Sequence, residues 1–462
     1  MTAPFERAPF STGDLTDEQY GQIIRPGDEE YDAARAVYPG DVDRRPAVIL
    51  RPRNAGQVAH VVALARQTGI ALAVRGGGHS VAGYGVCEGG LVLDLSAMRA
   101  VEIDAEARTA WAEGGITAGE YTEAAAKYGL ATGFGDGSLT GVAGITLGGG
   151  IGYLTRKYGM TVDDLLAVEI VTADGELLSV DEDHHPDLFW ALRGGGGNFG
   201  VVTRLKFRLH EVESVYGGML VLPVTAEILE AFIAEAEAAP EELSTVVNVW
   251  TAPRFPFIPK EYHGKPVILA MLCYAGPAET GEEVIGRFRA IATPLADMVR
   301  AMPYTGMFFP PDPSEHPVSA SRNLFIDRVD RATAETILDR VSTSSARMAA
   351  TQLRVLGGAM ARVPDAATAF AHRQSKIMAH LSAIYVDPAE ADVHERWVEE
   401  FSAAVRQSDA GGYINFLGEL DQEDIREQVY PGAAWERLSR IKAQYDPANL
   451  FRANHNVPPA TG

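Results

Sequence analysis

Cysteine is nearly absent from this chain: Cys87 and Cys273 are the only two among 462 residues. Two thiols build neither a disulfide framework nor a four-thiolate metal site within one chain. That usage suits a reducing compartment, so a cytoplasmic location is expected, and both cysteines read as small buried apolar residues. Basic side chains are also scarce, with 40 Lys and Arg against 62 Asp and Glu and a formal net charge of −22. Such a field repels polyanions, which excludes nucleic acid and anionic membrane surfaces as partners. No run of about 18 apolar residues occurs that would span a bilayer. The opening MTAPFERAPF carries charge early and leads into no apolar stretch of signal-peptide length, so secretion by that route is not expected.

Several catalytic signatures are missing too. GxxxxGK[ST] is absent, which removes the P-loop reading, and without GxSxG a serine hydrolase keeps little support despite Ser138 in a glycine-rich loop. HExxH is absent, and His184 and His185 are adjacent, so they cannot face one metal from one side of a helix; no metal is expected. Gly195-x-Gly197-x-x-Gly200 matches the dinucleotide fingerprint as a string, but that fingerprint needs a strand before it and a helix after. Here a helix (186–193, opened by Pro186) precedes and a strand (201–209) follows, so a nicotinamide dehydrogenase of the usual kind is disfavoured.

What the chain has in excess is glycine, in three clusters at 76–78, 133–152 and 194–200. Glycine lets a backbone approach a ligand closely and reach positive φ cheaply. Three clusters on one stretch point to one extended ligand touched by several loops, and an ADP-containing cofactor has that shape. With so few cations, backbone N–H groups must hold its phosphates. The first cluster, Arg75-Gly76-Gly77-Gly78-His79-Ser80, ends a βαβ pattern: strand 47–50, amphipathic helix 55–68, strand 71–75. Strands follow at 91–96 and 109–115, then a helix over 117–129 with a Thr117/Glu120 capping box. The segment 132–152 is too rich in glycine for regular structure and reads as a loop. Two strands within 165–180 join through an Asp174-Gly175 turn.

Beyond residue 210 glycine thins out and longer elements alternate. Strands are predicted at 245–250, 266–274, 352–356 and 412–417, and helices at 225–238, 279–291, 331–342 and 390–407. This reads as a second α+β domain carrying the substrate. From 421 a helical segment leads to a tail folded back onto the first domain. On a strand, Tyr413 and Asn415 share a face, as do Gln352 and Arg354, supplying a phenol, amides and a cation. Ordinary solvent-facing alternation explains the same spacing. Trp250, Phe255, Phe257, Tyr304, Phe308 and Phe309 read chiefly as core packing.

Four blocks, RGGGHS (75–80), TGVAGITLGGGIGYLTRKYG (140–159), DLFWALRGGGGNFGVV (187–202) and YDPANLFRANHNVPP (445–459), resemble the berberine-bridge-enzyme-like flavoproteins of the vanillyl-alcohol-oxidase and p-cresol-methylhydroxylase superfamily. The resemblance implies an α+β fold: a two-subdomain FAD-binding domain from residues 1–210 and 416–462, with a substrate domain of antiparallel sheet covered by helices inserted at 211–415. It implies FAD bonded through His79 to the flavin C8α methyl. Contacts are implied from Arg75, Gly76, Gly77, Gly78 and Ser80; from Gly137, Ser138, Thr140, Gly141, Gly144, Thr146, Gly148, Gly149, Gly152 and Tyr153; from Gly197, Gly200 and Val202; and from Asn454 and Asn456. Relatives with a second, cysteinyl link carry it in the loop corresponding to 135–141, where this chain has no cysteine, so a single tether is expected.

On the substrate side, several relatives place a glutamate base where Gln352 stands here. Tyr413 is then the preferred phenolic acid/base group, with Asn415 orienting. The activity implied is an oxidase that takes hydride from a small organic substrate (alcohol, amine, sugar or polyketide-like) and reduces O₂ to hydrogen peroxide. Alternatives are an oxygenase or oxidative cyclase of secondary metabolism working through flavin–oxygen adducts, and a flavin-binding protein without turnover. A homodimer stays open.

Overall fold

The computed structural model describes residues 11–308, 312, 316–418 and 425–461. Its first sheet has four strands in the order Gln22–Ile24, Val48–Arg51, Leu91–Asp94, Leu72–Arg75, the last three running parallel. The parallel crossover is the helix Ala55–Thr68. Asn54 caps it by accepting from Gln57 N at 3.0 Å, and Gly69 at φ 68° ends it. Val58, Val61, Val62 and Ala65 bury its inner stripe against the sheet.

A second, antiparallel sheet of five strands runs Val101–Asp104, Thr109–Glu113, Val201–Arg208, Leu165–Val171, Leu177–Val180. The expected hairpin turn is present, with Gly175 at φ 87°. So is the capping box, Thr117 Oγ1 and Glu120 closing the start of helix Ala118–Ala126. The segment 132–152 is not all loop: Val142–Leu147 is a helix that contains Gly144. Buried Val142, Ala143 and Leu147 anchor one side of it, and tertiary packing outweighs the propensity cost of one glycine, roughly 1 kcal/mol.

The largest sheet is antiparallel and eight-stranded. Its six long strands, in order across the sheet, are Ser214–Pro223, Pro266–Tyr274, Leu243–Thr251, Met348–Val355, Ile377–Tyr385 and, at the edge, Val318–Ile326. The first and last two of these are not among the strands expected from sequence; Val318–Ile326 has Ser319, Ser321, Arg322 and Asn323 in its run, and Ile377–Tyr385 is broken by His380 and Ser382. One face, with Val247, Val249, Leu353 and Leu381, is covered by helices Ala226–Ala238, Arg331–Thr343 and Ala391–Val405. The other face packs on the glycine-rich segment, where Tyr153 and Leu154 meet Val246 and Met271. Across it, Asn248, Gln352, His380 and Asn323 stand in direct cross-strand register.

Residues 412–417 are not a strand. Ile414–Phe416 is a single 3-10 turn; among the described residues no strand pairs with it, and Tyr413 N donates to the Asn323 side chain at 2.7 Å. The tail does fold back on the first half: in helix Ala433–Tyr445, Lys442 donates to the carbonyls of Asn198 and Phe451 and to Asp446. Of the helical segment expected from 421, residues 421–424 lie outside the described residues. Phe309 and the opening decapeptide do as well.

Candidate flavin site

A cavity of about 440 Å³ opens where the three glycine clusters and the tail converge. Its wall includes Arg75 to Ser80, Gly137, Thr140, Gly141, Gly144, Gly197, Gly200, Val202, Asn454, Tyr413 and Asn415, all singled out from sequence. The first two clusters touch directly. A Cβ on Gly77 would lie 2.3 Å from Gly141 N, so neither position accepts a side chain. Gly144 and Gly197 differ, because a Cβ on either would meet no protein atom within 4 Å. Those two are bare backbone facing the hollow.

Other expected contacts stand behind this wall rather than on it. Ser138 packs under Gly119 and accepts its N–H at 2.9 Å, turned toward the capped helix. Thr146 spends its hydroxyl on Val142 O at 2.7 Å within its own helix. The Asn415 amide fills the space above Gly148, Met160 closes on Gly149, and a Cβ on Gly152 would sit 1.6 Å from Phe134 O. Tyr153 is buried in the apolar layer with Met271 and Tyr304. Asn456 sits beside the lining residue His455 without lining the cavity itself. Gln352 lies off the wall too, accepting from Arg354 Nε at 2.9 Å and donating to Asn248 Oδ1 at 3.1 Å.

The helix-strand reversal around Gly195–Gly200 is as expected, yet Gly197 and Gly200 still line the cavity. The aromatics Trp250, Phe257, Tyr304 and Phe308 form a packed cluster away from it. Asp136, Ile151 and Asn198, within the loops 135–152 and 197–202 that the resemblance implies as contacts, also line it, as do Tyr38, Tyr84 and His455, which lie outside the expected contacts. Tyr38 lies far in sequence from the glycine clusters, whereas Tyr84 sits between Gly83 and Gly85, just past the first cluster. His455 lies within Ala453-Asn454-His455-Asn456, between the two asparagines expected as contacts.

His79 stands half-buried on the wall, and burial lowers its imidazole below the ordinary pKa, favouring the neutral ring. The Tyr38 ring stacks on it with centroids 4.8 Å apart and planes 18° off parallel. Arg75 points elsewhere: its guanidinium pairs with buried Asp94 at 2.8 Å and donates to Ala36 O at 3.3 Å. At the tail, Asn198 Nδ2 donates to His455 O at 3.1 Å, and burial pushes the His455 imidazole down to about 4. Cys87 and Cys273 are both off the wall, their thiols raised chiefly by burial.

Also on this wall, the Tyr413 hydroxyl receives Gly150 N at 2.9 Å, Ile151 N at 3.3 Å and Asn415 Nδ2 at 2.8 Å. The 3-10 turn brings the phenol and the amide together as strand alternation would have. Burial raises the phenol above its ordinary value, opposed by the hydrogen bonds from Asn415, Gly150 and Ile151. Close by, Arg354 bridges Asp136 at 2.7 Å, Gln352 at 2.8 Å and Ile151 O at 3.1 Å.

These features fit a long, phosphate-bearing cofactor. Among the described lining residues Arg75 is the one Lys or Arg, and its charge is met by Asp94, so bare backbone must face the phosphates. Asn454 Oδ1 and His455 Nδ1 are buried without a protein partner, as groups awaiting a ligand would be. No three acidic, His or Cys side chains cluster as metal ligands among the described residues. No helix among them is long and apolar enough to cross a membrane.

Comparison with known proteins agrees with this geometry. Residues 46–181 match the family described as FAD binding domain, and residues 412–458 match that described as berberine and berberine like. The FAD-linked oxidoreductase YvdP of Bacillus subtilis is 30% identical, covering 95% of this chain and 98% of the relative. (R)-6-hydroxynicotine oxidase of Paenarthrobacter nicotinovorans is 29% identical over 95% of this chain and 97% of its own. Among solved structures, 6-hydroxy-D-nicotine oxidase from Arthrobacter nicotinovorans superposes with a TM-score of 0.84 at 28% identity, covering 95% of this chain and 98% of that one. Xylooligosaccharide oxidase from Myceliophthora thermophila, in complex with xylobiose, gives 0.83 at 25% identity over 95% and 97%.

The fold and the cavity define a flavin-dependent oxidoreductase. The chain belongs to the berberine-bridge-enzyme-like family of FAD-linked oxidoreductases.

Proposed function

We propose that the protein is an FAD-dependent oxidase that removes hydride from a small organic substrate and passes the electrons to O₂, forming hydrogen peroxide. The observation that carries this reading is the Tyr413–Asn415 pair, hydrogen-bonded at 2.8 Å on the wall of the same cavity that His79 lines. Bound FAD supplies a two-electron acceptor that dioxygen regenerates. His79 holds it covalently, with no cysteinyl link. Gly76 to Gly78, Gly137, Thr140, Gly141, Gly144, Gly197, Gly200 and Asn454 give it close-approaching backbone and amide contacts. Three N–H groups aimed at one phenolic oxygen stabilise negative charge there, so Tyr413 is the group that takes a substrate proton and Asn415 orients it.

Gln352 serves from behind, fixing Arg354 and through it Ile151. In this reading residues 1–210 and 416–462 carry the cofactor, residues 211–415 carry the substrate, and the enzyme works in the cytoplasm. The named relatives act on a hydroxynicotine and on a xylooligosaccharide, so amines and sugars are the first donors to try. Purified protein should be yellow, bleach anaerobically with a donor found by peroxide release across sugars, cyclic amines, phenols and polyketides, and recolour in air. A reduced flavin that persists for hours in oxygenated buffer overturns the oxidase reading.

A further inference from the structure

We infer that Tyr38 is a positioning residue for the covalent attachment of the cofactor, holding the His79 imidazole in the plane from which it bonds; this rests on the reading of His79 as the tether. A histidine on a glycine turn is a poor nucleophile if its ring swings freely. Gly76, Gly77 and Gly78 give the turn little side-chain restraint, and Gly78 takes φ 73°. What restrains the ring is the parallel Tyr38 face at 4.8 Å.

Tyr38 itself is fastened on both sides. Its N–H donates to Gly78 O at 3.0 Å, and Arg75 Nη1 holds Ala36 O at 3.3 Å, stitching residues 36–38 to the turn that carries His79. On the far side the loop meets the leading end of strand Val318–Ile326. His316 Nδ1 lies 2.7 Å from Val37 O, Gly40 N donates to Pro317 O at 3.0 Å, and a Cβ on Gly40 would come within 2.2 Å of His316 O. The tyrosine is thus a ring plate set between the cofactor half and the substrate sheet. It is 39% exposed, so nothing in core packing calls for a large aromatic there. Stacking covers one face of the imidazole from water, in keeping with the burial that favours the neutral, nucleophilic form.

The bond that forms joins an imidazole nitrogen to the flavin C8α methyl carbon. One methyl hydrogen and the imidazole N–H hydrogen leave as two protons, and the two electrons released enter the flavin ring. Dioxygen takes the electrons and the protons, giving one hydrogen peroxide per tether formed. Tyr38 enters none of these bonds.

The test is reconstitution of flavin-free protein with FAD in air, following flavin fluorescence on denaturing gels over time, with total bound FAD measured separately. At saturating FAD, Tyr38→Ala should bind the cofactor yet attach it about tenfold more slowly, the factor that ~1.4 kcal/mol of lost orientation represents. Tyr38→Phe, which keeps the ring, should attach at the wild-type rate. Attachment by Tyr38→Ala at the wild-type rate overturns the inference alone. So does a Tyr38→Phe variant as slow as Tyr38→Ala, since that would locate the effect in the hydroxyl. Wild-type protein with no acid-stable flavin, or His79→Ala with a full tether, overturns the reading of His79 and the inference with it.

Discussion

Tyr413 and Arg354 grip opposite sides of one residue. The phenol oxygen receives the Ile151 N–H at 3.3 Å, while Arg354 Nη1 donates to the Ile151 carbonyl at 3.1 Å. Because Arg354 also binds Asp136 and Gln352, the placement of the phenol is tied to the central strand Met348–Val355.

Arg354→Met cuts every tie that Arg354 makes, to Ile151 O, Asp136 and Gln352. The guanidinium is 3% exposed, so its removal strips donors from Gln352 Oε1 and Ile151 O and leaves Asp136 unpaired. Breaking a buried pair costs about 3–5 kcal/mol, and here less, on the order of 2–3 kcal/mol, because Asp136 is 31% exposed and recovers solvation. A lowered melting temperature and a lowered kcat are expected together. Arg354→Lys keeps charge without the fork and should fall between. Thermal melts and steady-state kinetics on both variants check this; a Met variant indistinguishable from wild type breaks the link.

The pH profile follows from the Tyr413 environment. Burial raises the phenol and the Asn415, Gly150 and Ile151 hydrogen bonds hold it down, so its net value lies above that of free tyrosine. A base must be deprotonated to work, so kcat/KM should climb as pH rises toward that raised value. Asn415→Ala removes one stabiliser of the phenolate. The limb then moves to still higher pH, and the rate near neutrality drops on the order of 10- to 100-fold. Tyr413→Phe should abolish the limb. An Asn415→Ala profile displaced toward acid contradicts the argument.

Local chemistry made much of this architecture legible from residues alone. Asn54, Thr117/Glu120, Pro186 and Asp174-Gly175 are signals whose energetics lie within a few residues, and the structure has a cap, a box, a helix start and a turn at those places. The glycine clusters likewise point to one place, and residues of all three line a single cavity. What stayed hidden depends on partners distant in sequence. Residues 412–417 alternate like a strand, but a strand needs a neighbour's ladder and Asn323 takes the Tyr413 N–H instead. Glycines 148, 149 and 152 look the same in sequence as 144 and 197, though they make room for Asn415, Met160 and Phe134 rather than for a ligand. Tyr38 reaches His79 across a gap of chain that no spacing rule covers.

His79→Ala should release the yellow colour into the supernatant on acid precipitation, while wild type keeps it in the pellet. Attachment by wild type should itself be pH-dependent. Burial lowers the imidazole pKa, so the neutral nucleophile persists through neutrality and is lost only as pH falls through that lowered value. Attachment should therefore be flat above about pH 6.5, the free-histidine value, and decline in acid. Cys87→Ser should leave it unchanged, and loss of the tether there would shift the link away from His79.

Lys442 and Asp446 are both fully buried, 2.7 Å apart, and Lys442 also donates to Asn198 O and Phe451 O. Lys442→Met leaves the Asp446 carboxylate with only the Leu450 and Phe451 N–H groups, at an expected cost of about 3–5 kcal/mol. Asn198 and the His455 segment line the cavity, so FAD affinity should weaken alongside stability. Calorimetry with and without added FAD reads both. Unchanged FAD binding in a destabilised variant separates the tail from the site.

Two kinds of glycine make the sharpest test of where the cofactor lies. A methyl at Gly77 or Gly152 collides with protein backbone, at 2.3 Å from Gly141 N and 1.6 Å from Phe134 O, so Gly77→Ala and Gly152→Ala should misfold or melt early. A methyl at Gly144 or Gly197 meets no protein atom within 4 Å, and neither residue uses positive φ, so the chain itself tolerates alanine there. In helix Val142–Leu147 the Gly144→Ala change even favours the helix, by roughly 1 kcal/mol. Both variants should therefore fold as stably as wild type without FAD yet bind it at least tenfold more weakly, because the added carbon occupies ground the ligand needs. Melting temperatures of the flavin-free proteins and fluorescence titration with FAD give the two readings. If Gly144→Ala and Gly197→Ala both bind FAD at wild-type affinity, the cofactor runs along some other part of the wall, and the contact assignments for the second and third glycine clusters fall.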